Sequence, residues 1–235
     1  MIIGTNSAGL ATEIQRPASF CVKIPDDLSS VDAATMPAVY VTVLLCVMDR
    51  MHLQKGQSIL IHSAAGGVGI AAIYVARYIG AEIYCTCGDE KKVDFLVNEL
   101  GVPRDRIFYS RDTSFVDGIM EATNGIGVDV ALNSVSGELL HATWSCVAPN
   151  GIMLEIGKRD MIGRGLLRMA PFEWNRTFTG VDLSRFTVTH KPAVARMMNE
   201  LVKLYVDGHV KPIHPVTLFD AEKIEEAYRY APVLD

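Results

Sequence analysis

Residues Ser58-Ile59-Leu60-Ile61-His62-Ser63-Ala64-Ala65-Gly66-Gly67-Val68-Gly69 decide the fold. The stretch opens apolar and β-prone, passes through a run of small residues, and continues over positions 67–79 with helical spacing. It reads as strand, A-x-G-x-x-G turn, helix. A small residue at Ala64 permits the tight turn, Gly66 lets the backbone approach a pyrophosphate, and Gly69 lets the helix pack closely on the strand. Ala65, Gly67 and Val68 complete the loop where the helix begins, and free N–H groups with a positive dipole end suit phosphate there. The context points to a dinucleotide site; without its strand and helix the same run would be only a structural glycine turn.

Outward from this loop the chain alternates. Strands are predicted at 58–62, 82–87, 106–109, 127–132, 151–156 and 177–182. Helices are predicted at 67–79, 90–100, 114–123 with Ser114 as its cap, 136–147 and 192–207. Six strands separated by helices imply an α/β fold of Rossmann type, a doubly wound parallel sheet with right-handed crossovers. Ligands of such sheets bind at the carboxyl ends of the strands. Residues 1–45, with Pro17, Pro25 and Pro37, stand outside the alternation and predict one short helix. Toward the other end a strand is predicted at 215–219 and a helix from Ala221 to Pro232.

Composition excludes other classes. The 235 residues are 49% hydrophobic and 21% charged, a globular balance rather than a disordered one. The net charge of −5, with no basic stripe, argues against a nucleic-acid partner. Mean hydropathy is +0.22, yet the apolar runs at 42–48 and 69–79 fall far short of the roughly 20 residues that span a bilayer. No membrane segment is expected, and Met1-Ile2-Ile3-Gly4-Thr5-Asn6 lacks the plan of a signal peptide. Five cysteines in unpatterned spacing fit reduced thiols in the cytoplasm. No Cys and His group has zinc-ligand spacing, so no metal site is expected. Without a Gly-x-Ser-x-Gly elbow a serine hydrolase is not supported, and His62 reads as packing in the sheet.

The end of the second strand should choose the dinucleotide. It reads Thr86-Cys87-Gly88-Asp89-Glu90-Lys91-Lys92, with no acid at the strand's last position. Lys92 would neutralise a 2′-phosphate and favour NADP, whereas Asp89 would accept from a ribose hydroxyl and favour NAD. An acidic N-cap on a solvated helix start would look the same.

Four motifs in fixed order carry a resemblance: Leu60-Ile61-His62-Ser63-Ala64-Ala65-Gly66-Gly67-Val68-Gly69; Tyr109-Ser110-Arg111-Asp112-Thr113-Ser114-Phe115; Gly127-Val128-Asp129-Val130-Ala131-Leu132-Asn133-Ser134; and Glu155-Ile156-Gly157-Lys158-Arg159-Asp160. Over about residues 23–230 the chain resembles the enoylreductase domains of reducing polyketide synthases and animal-type fatty-acid synthases, within the zinc-independent medium-chain dehydrogenase/reductase superfamily. The Arg-rich, Trp-containing stretch after Lys158 resembles fungal highly reducing synthases. The resemblance implies NADPH as cofactor and a 2-enoyl thioester, carried on an acyl carrier protein, as substrate. It implies the remaining domains of a synthase as partners, and a homodimer. Lys158 matches a proton-donor candidate and Asp182 its paired aspartate, an arrangement that also fits a plain ion pair. Lys92 matches the 2′-phosphate lysine, although Asp89 stands where the family has serine. Ser110 and Arg111 match residues of the adenosine end. Asn133, Ser134 and Gly157 match positions around the nicotinamide, as does Thr42.

The resemblance also implies a division. Residues 46–212 form the dinucleotide-binding domain, 1–45 belong to a mostly β, GroES-like substrate domain and the junction to it, and 213–235 begin the return to that domain. Most of the substrate domain is then absent from this sequence. The expectation is an enoyl reductase that needs that domain. The alternatives are an inactive NADPH-binding scaffold and a quinone or small-enone reductase.

Overall fold

A computed structural model describes residue 11 and residues 13–230. Strands β1 (Ser58–Ile61), β2 (Glu82–Cys87), β3 (Ile107–Tyr109), β4 (Val128–Asn133), β5 (Val147–Glu155) and β6 (Thr177–Gly180) form one sheet in the order β3-β2-β1-β4-β5-β6. Every pairing is parallel. The strand order reverses between β1 and β4, which opens a crevice at their carboxyl ends. A side-chain clasp fixes these two strands at their other ends. Ser58 donates to Asp129 Oδ2 from both its N–H and its hydroxyl at 2.8 Å, and the Asp129 N–H donates to Ser58 Oγ at 2.9 Å.

The helices are α1 (Ser30–Ala34), α2 (Pro37–Val43), α3 (Gly67–Ile79), α4 (Glu90–Asn98), α5 (Phe115–Ala122), α6 (Glu138–Ser145), α7 (Arg159–Ile162), α8 (Leu183–Thr189), α9 (Lys191–Val206) and α10 (Ile224–Tyr230). A π-helical stretch, Leu44–Arg50, continues α2. β1 is buried along its whole length, as a central strand covered on both faces must be. Ile59 and Ile61 enter a core with Tyr40, Ile73 and Leu201 from α2, α3 and α9. Leu60 enters the opposite core with Phe115, Ile119 and Trp144 from α5 and α6. Each such large side chain taken out of water is worth about 1.5–3 kcal/mol, so this double-sided burial fixes β1 and the loop that leaves it.

The predicted alternation holds, with local departures. Residues 215–219 are irregular, because among the described residues no strand lies beside them to pair. Helix α5 starts beyond Ser114, whose side chain makes no cap; Asp112 Oδ1 instead accepts from the Ser114 N–H at 2.9 Å. β5 starts at Val147, opposite Val128, and a register shift carries it through Pro149 and Asn150. β6 stops at Gly180, and Asp182 caps α8. Before β1 the described residues hold a 3-10 turn (Ala18–Phe20), two short α-helices and the π-helical stretch rather than one helix. Pro232 lies outside the described residues. Among them no helix is long and apolar enough to cross a membrane.

Candidate functional site

Beyond β1 the chain turns at His62–Gly66 onto α3. Ser63 has a φ of 52° there. The Gly66 N–H donates to Ser63 O at 2.8 Å, and the Ala64 N–H donates across to Thr86 O at 3.0 Å. Gly66 caps α3 without a side chain, so nothing of its own covers the first N–H groups. A Cβ on Gly69 would stand 2.5 Å from Ala64 Cα and 2.6 Å from the carbonyl oxygens of Ala64 and Ser63. Only glycine permits that contact of helix on loop. A Cβ on Gly67 would stand 3.1 Å from Val39, so α2 closes on the loop from above.

A cavity of about 1200 Å³ opens over this loop and the ends of β4 and β5. Gly66, Gly67, Val68 and Gly69 line one side, and Ser134, Glu155, Gly157 and Lys158 the other. Ser134 Oγ donates to Ser63 Oγ at 3.2 Å and ties the two sides together. The volume and the glycine-lined wall suit the pyrophosphate-to-nicotinamide part of a dinucleotide, the end of β2 lying outside this lining. The bare helix start and the close backbone packing at Gly69 are what a bound pyrophosphate requires.

Toward β2 the arrangement changes to charge. Asp89 caps α4, accepting from the Lys92 N–H at 2.9 Å, and Lys92 Nζ lies 3.2 Å from Asp89 Oδ2. The capping role and the lysine are thus parts of one arrangement. Asp89 is held below its ordinary range by the Lys92 backbone and side chain. A Cβ on Gly88 would stand 2.7 Å from Arg111 Nε, so Arg111 lies over the end of β2, and the Ser110 N–H donates to Cys87 O at 3.0 Å. Lys92, Ser110 and Arg111 therefore gather around one strand end.

At the opposite end Lys158 Nζ meets Asp182 Oδ2 at 3.2 Å. Asp182 also accepts from the Ser184 hydroxyl at 2.5 Å and the Ser184 N–H at 2.8 Å. The Ser184 hydroxyl and Lys158 hold its carboxyl down at about 2. Asp182 is only 25% exposed and Lys158 54%, so water reaches the ammonium more readily than the carboxylate. A second cavity, of about 730 Å³, lies against this pair and is lined by Leu45, Arg50, Met161 and Phe186. Lys158 lines both cavities.

Of the residues expected from the sequence, Thr42, Ala64, Ala65, Lys92, Ser110, Arg111 and Asn133 line neither cavity. Asn133 is fully buried: its Nδ2 donates to Val135 O at 2.7 Å and to Glu155 Oε2. Thr42 Oγ1 donates to Ala38 O at 2.8 Å within α2. Sequence reasoning missed Glu155. It is 1% exposed, and besides the Asn133 amide it accepts the Gly157 N–H. Burial pushes its carboxyl up to about 7. The only sequence signal was an acid ending the apolar run Ile152-Met153-Leu154. His62 lines the cavity floor between Thr86 Oγ1 and Thr143 Oγ1, both at 2.8 Å, and burial pushes it down to about 3.

Glu155 carries a stability prediction. Its carboxyl titrates near 4.5 when unfolded and about 7 when folded, so the folded state holds more protons between these values. The contribution is complete below about 4.5 and falls by roughly 3 kcal/mol as pH rises through 7. Denaturant titrations at pH 5 and pH 8 should show this decline in the wild type relative to Glu155→Gln. Parallel pH dependences would contradict it.

The family model for zinc-binding dehydrogenases matches residues 104–231. The squalestatin hexaketide synthase clz14 of Cochliobolus lunatus is 55% identical over 97% of this chain, which spans 9% of that protein's length. The crystal structure of CurK enoyl reductase superposes with a TM-score of 0.82 at 32% identity, over 92% of this chain and 63% of that one. The nucleotide-binding subdomain of the enoylreductase domain of PpsC from Mycobacterium tuberculosis is 34% identical, over 75% of this chain and 97% of its own, with a TM-score of 0.69. Among the described residues no three His, Cys, Asp or Glu side chains gather as metal ligands.

Proposed function

The chain belongs to the zinc-binding dehydrogenase family, on its polyketide-synthase enoyl reductase branch, and from that premise we propose that it reduces the 2,3 double bond of a carrier-bound 2-enoyl thioester with NADPH. It is an oxidoreductase of that branch; the cofactor's 2′-phosphate, the thioester and the carrier are the proposed part. The observation that carries it is the place of Lys158, paired with Asp182 in the wall shared by the cavity over the glycine loop and a second one that Leu45, Met161 and Phe186 line in part.

When bound, NADPH supplies a hydride to the β-carbon of the enoyl group. The chain's residues do the rest. The backbone of Ala64–Gly69 and the start of α3 hold the pyrophosphate. Lys92, Arg111 and Ser110 hold the phosphorylated ribose. Leu45, Met161 and Phe186 offer apolar surface to the acyl chain. The Lys158 ammonium faces the developing thioester enolate and gives the α-carbon its proton, and solvent replaces that proton at the half-exposed Nζ. Asp182 stays ionised and holds the ammonium in place. Asn133 and Gly157 shape the turn that carries Lys158, Ser134 fixes it to the glycine loop, and Thr42 stiffens the helix above. Residues 46–212 are then the cofactor-binding unit, flanked by parts of a substrate domain. The partners are an acyl carrier protein and the other domains of a cytoplasmic synthase.

Following NADPH absorbance with a crotonyl thioester, with this chain joined to its substrate domain in the whole synthase, tests the reading; a rate no higher than the blank contradicts it. The cofactor assignment has its own test. Replacing Lys92 by alanine should weaken NADPH by about 10-fold, the worth of one charge-assisted contact, and leave NADH within about 2-fold. Fluorescence titration reads both, and tighter NADH than NADPH in the wild type would refute the role of Lys92.

A further inference from the structure

Glu155 is a buried acid that the reduction just described does not use. Its Oε2 accepts from Asn133 Nδ2 and its Oε1 from the Gly157 N–H, and among the described residues it makes no ion pair. A Cβ on Gly157 would stand 2.5 Å from Oε1, so the turn to Lys158 is wrapped around this carboxyl. The groups facing it are few. Asp160 on α7 repels it, Lys158 is engaged with Asp182 beyond the turn, Arg159 lines the cavity wall, and His62 at the end of β1 stays neutral. An ionised carboxylate buried without a cation is costly, and the cost falls when a positive charge arrives beside it.

The cofactor reading above, on which this inference rests, says what could arrive. With the pyrophosphate at the glycine loop and the phosphorylated ribose at Lys92 and Arg111 over β2, the nicotinamide half falls on the β4 and β5 side of the switch point. Glu155 ends β5 and lines the cavity there. The oxidised ring carries a positive charge and the reduced ring none. We propose that Glu155 is the residue by which this cavity distinguishes oxidised from reduced cofactor, its carboxylate favouring the positively charged ring. Binding of NADP+ then displaces the carboxyl proton to solvent, while NADPH binding leaves it in place. Burial, which pushes this carboxyl up to about 7, puts the exchange at neutral pH.

Calorimetric titration of NADP+ and NADPH into the chain at pH 6 and pH 8 tests this without turnover. The 2′-phosphate is common to both, so its own titration cancels in the ratio of the two affinities. The wild type should shift that ratio toward NADP+ by about 10-fold from pH 6 to pH 8, and at pH 6 release close to one proton more per NADP+ than per NADPH when buffers of different ionisation heat are compared. In Glu155→Gln the ratio should be independent of pH. Because the wild type alone shows the shift and the proton, the test survives a variant that fails to fold. If both nucleotides bind with a ratio indifferent to pH, the role of Glu155 is overturned while the cofactor reading stands. If neither nucleotide binds, both fall.

Discussion

Replacing Gly69 by alanine is expected to lower the melting temperature by about 2–12 °C and NADPH affinity by more than 10-fold. The added Cβ would meet Ala64 Cα at 2.5 Å and two carbonyl oxygens at 2.6 Å. These are backbone atoms, held by the Ala64 N–H to Thr86 O and the Gly66 N–H to Ser63 O hydrogen bonds, so no side-chain rotation relieves the contact. Overpacking of this kind costs about 1–3 kcal/mol, and a chain of this size loses roughly 2–4 °C per kcal/mol. The affinity falls as well, because α3 must withdraw from the loop and carries its N–H groups away from the pyrophosphate. Thermal unfolding with and without NADPH reads both effects. Wild-type stability with undiminished NADPH stabilisation would show that helix and loop do not depend on that contact.

The second large effect belongs to Lys158. Its replacement by alanine should lower kcat by about 100- to 1000-fold, the usual worth of a positioned proton donor, with NADPH affinity within about 3-fold. The proposed cofactor contacts centre on the glycine loop and the end of β2, whereas Lys158 reaches Asp182 across the wall to the second cavity. Steady-state kinetics with a crotonyl thioester, beside fluorescence titration of NADPH, separates the two quantities. A collapse of cofactor binding with little change in kcat would make the ion pair structural.

How much of the fold and site is legible in the sequence depends on how local each signal is. The passage from β1 through the loop to α3 can be read residue by residue, because the period changes from strand to helix across a run of small side chains. β5 reads too short because Pro149-Asn150-Gly151 has the composition of a turn, while its pairing with β4 carries the strand through with a shifted register. Residues 215–219 are β-prone, but propensity makes a strand only where an edge is available. Asp182 reads as a strand end and is a helix cap, because its carboxylate accepts from the Ser184 and Arg185 N–H groups once the backbone turns there. Its approach to Lys158 comes only through the family resemblance, since nothing in the spacing of two residues on different connections announces a contact. Glu155 cannot be found from residue type: an acid at a strand end is ordinarily solvated, and only the packing of Asn133 and the Gly157 turn buries it.

The most direct measurement traces a deuterium label. The chain, joined to its substrate domain in the whole synthase, is supplied with a crotonyl thioester and NADPH carrying deuterium at the transferable position, and the saturated thioester is analysed by NMR and mass spectrometry. One cofactor deuterium is expected at the β-carbon and a solvent proton at the α-carbon, with the rate of label transfer much reduced in Lys158→Ala. A saturated product without cofactor deuterium, or NADPH oxidation that yields no saturated thioester, would contradict the proposed reduction.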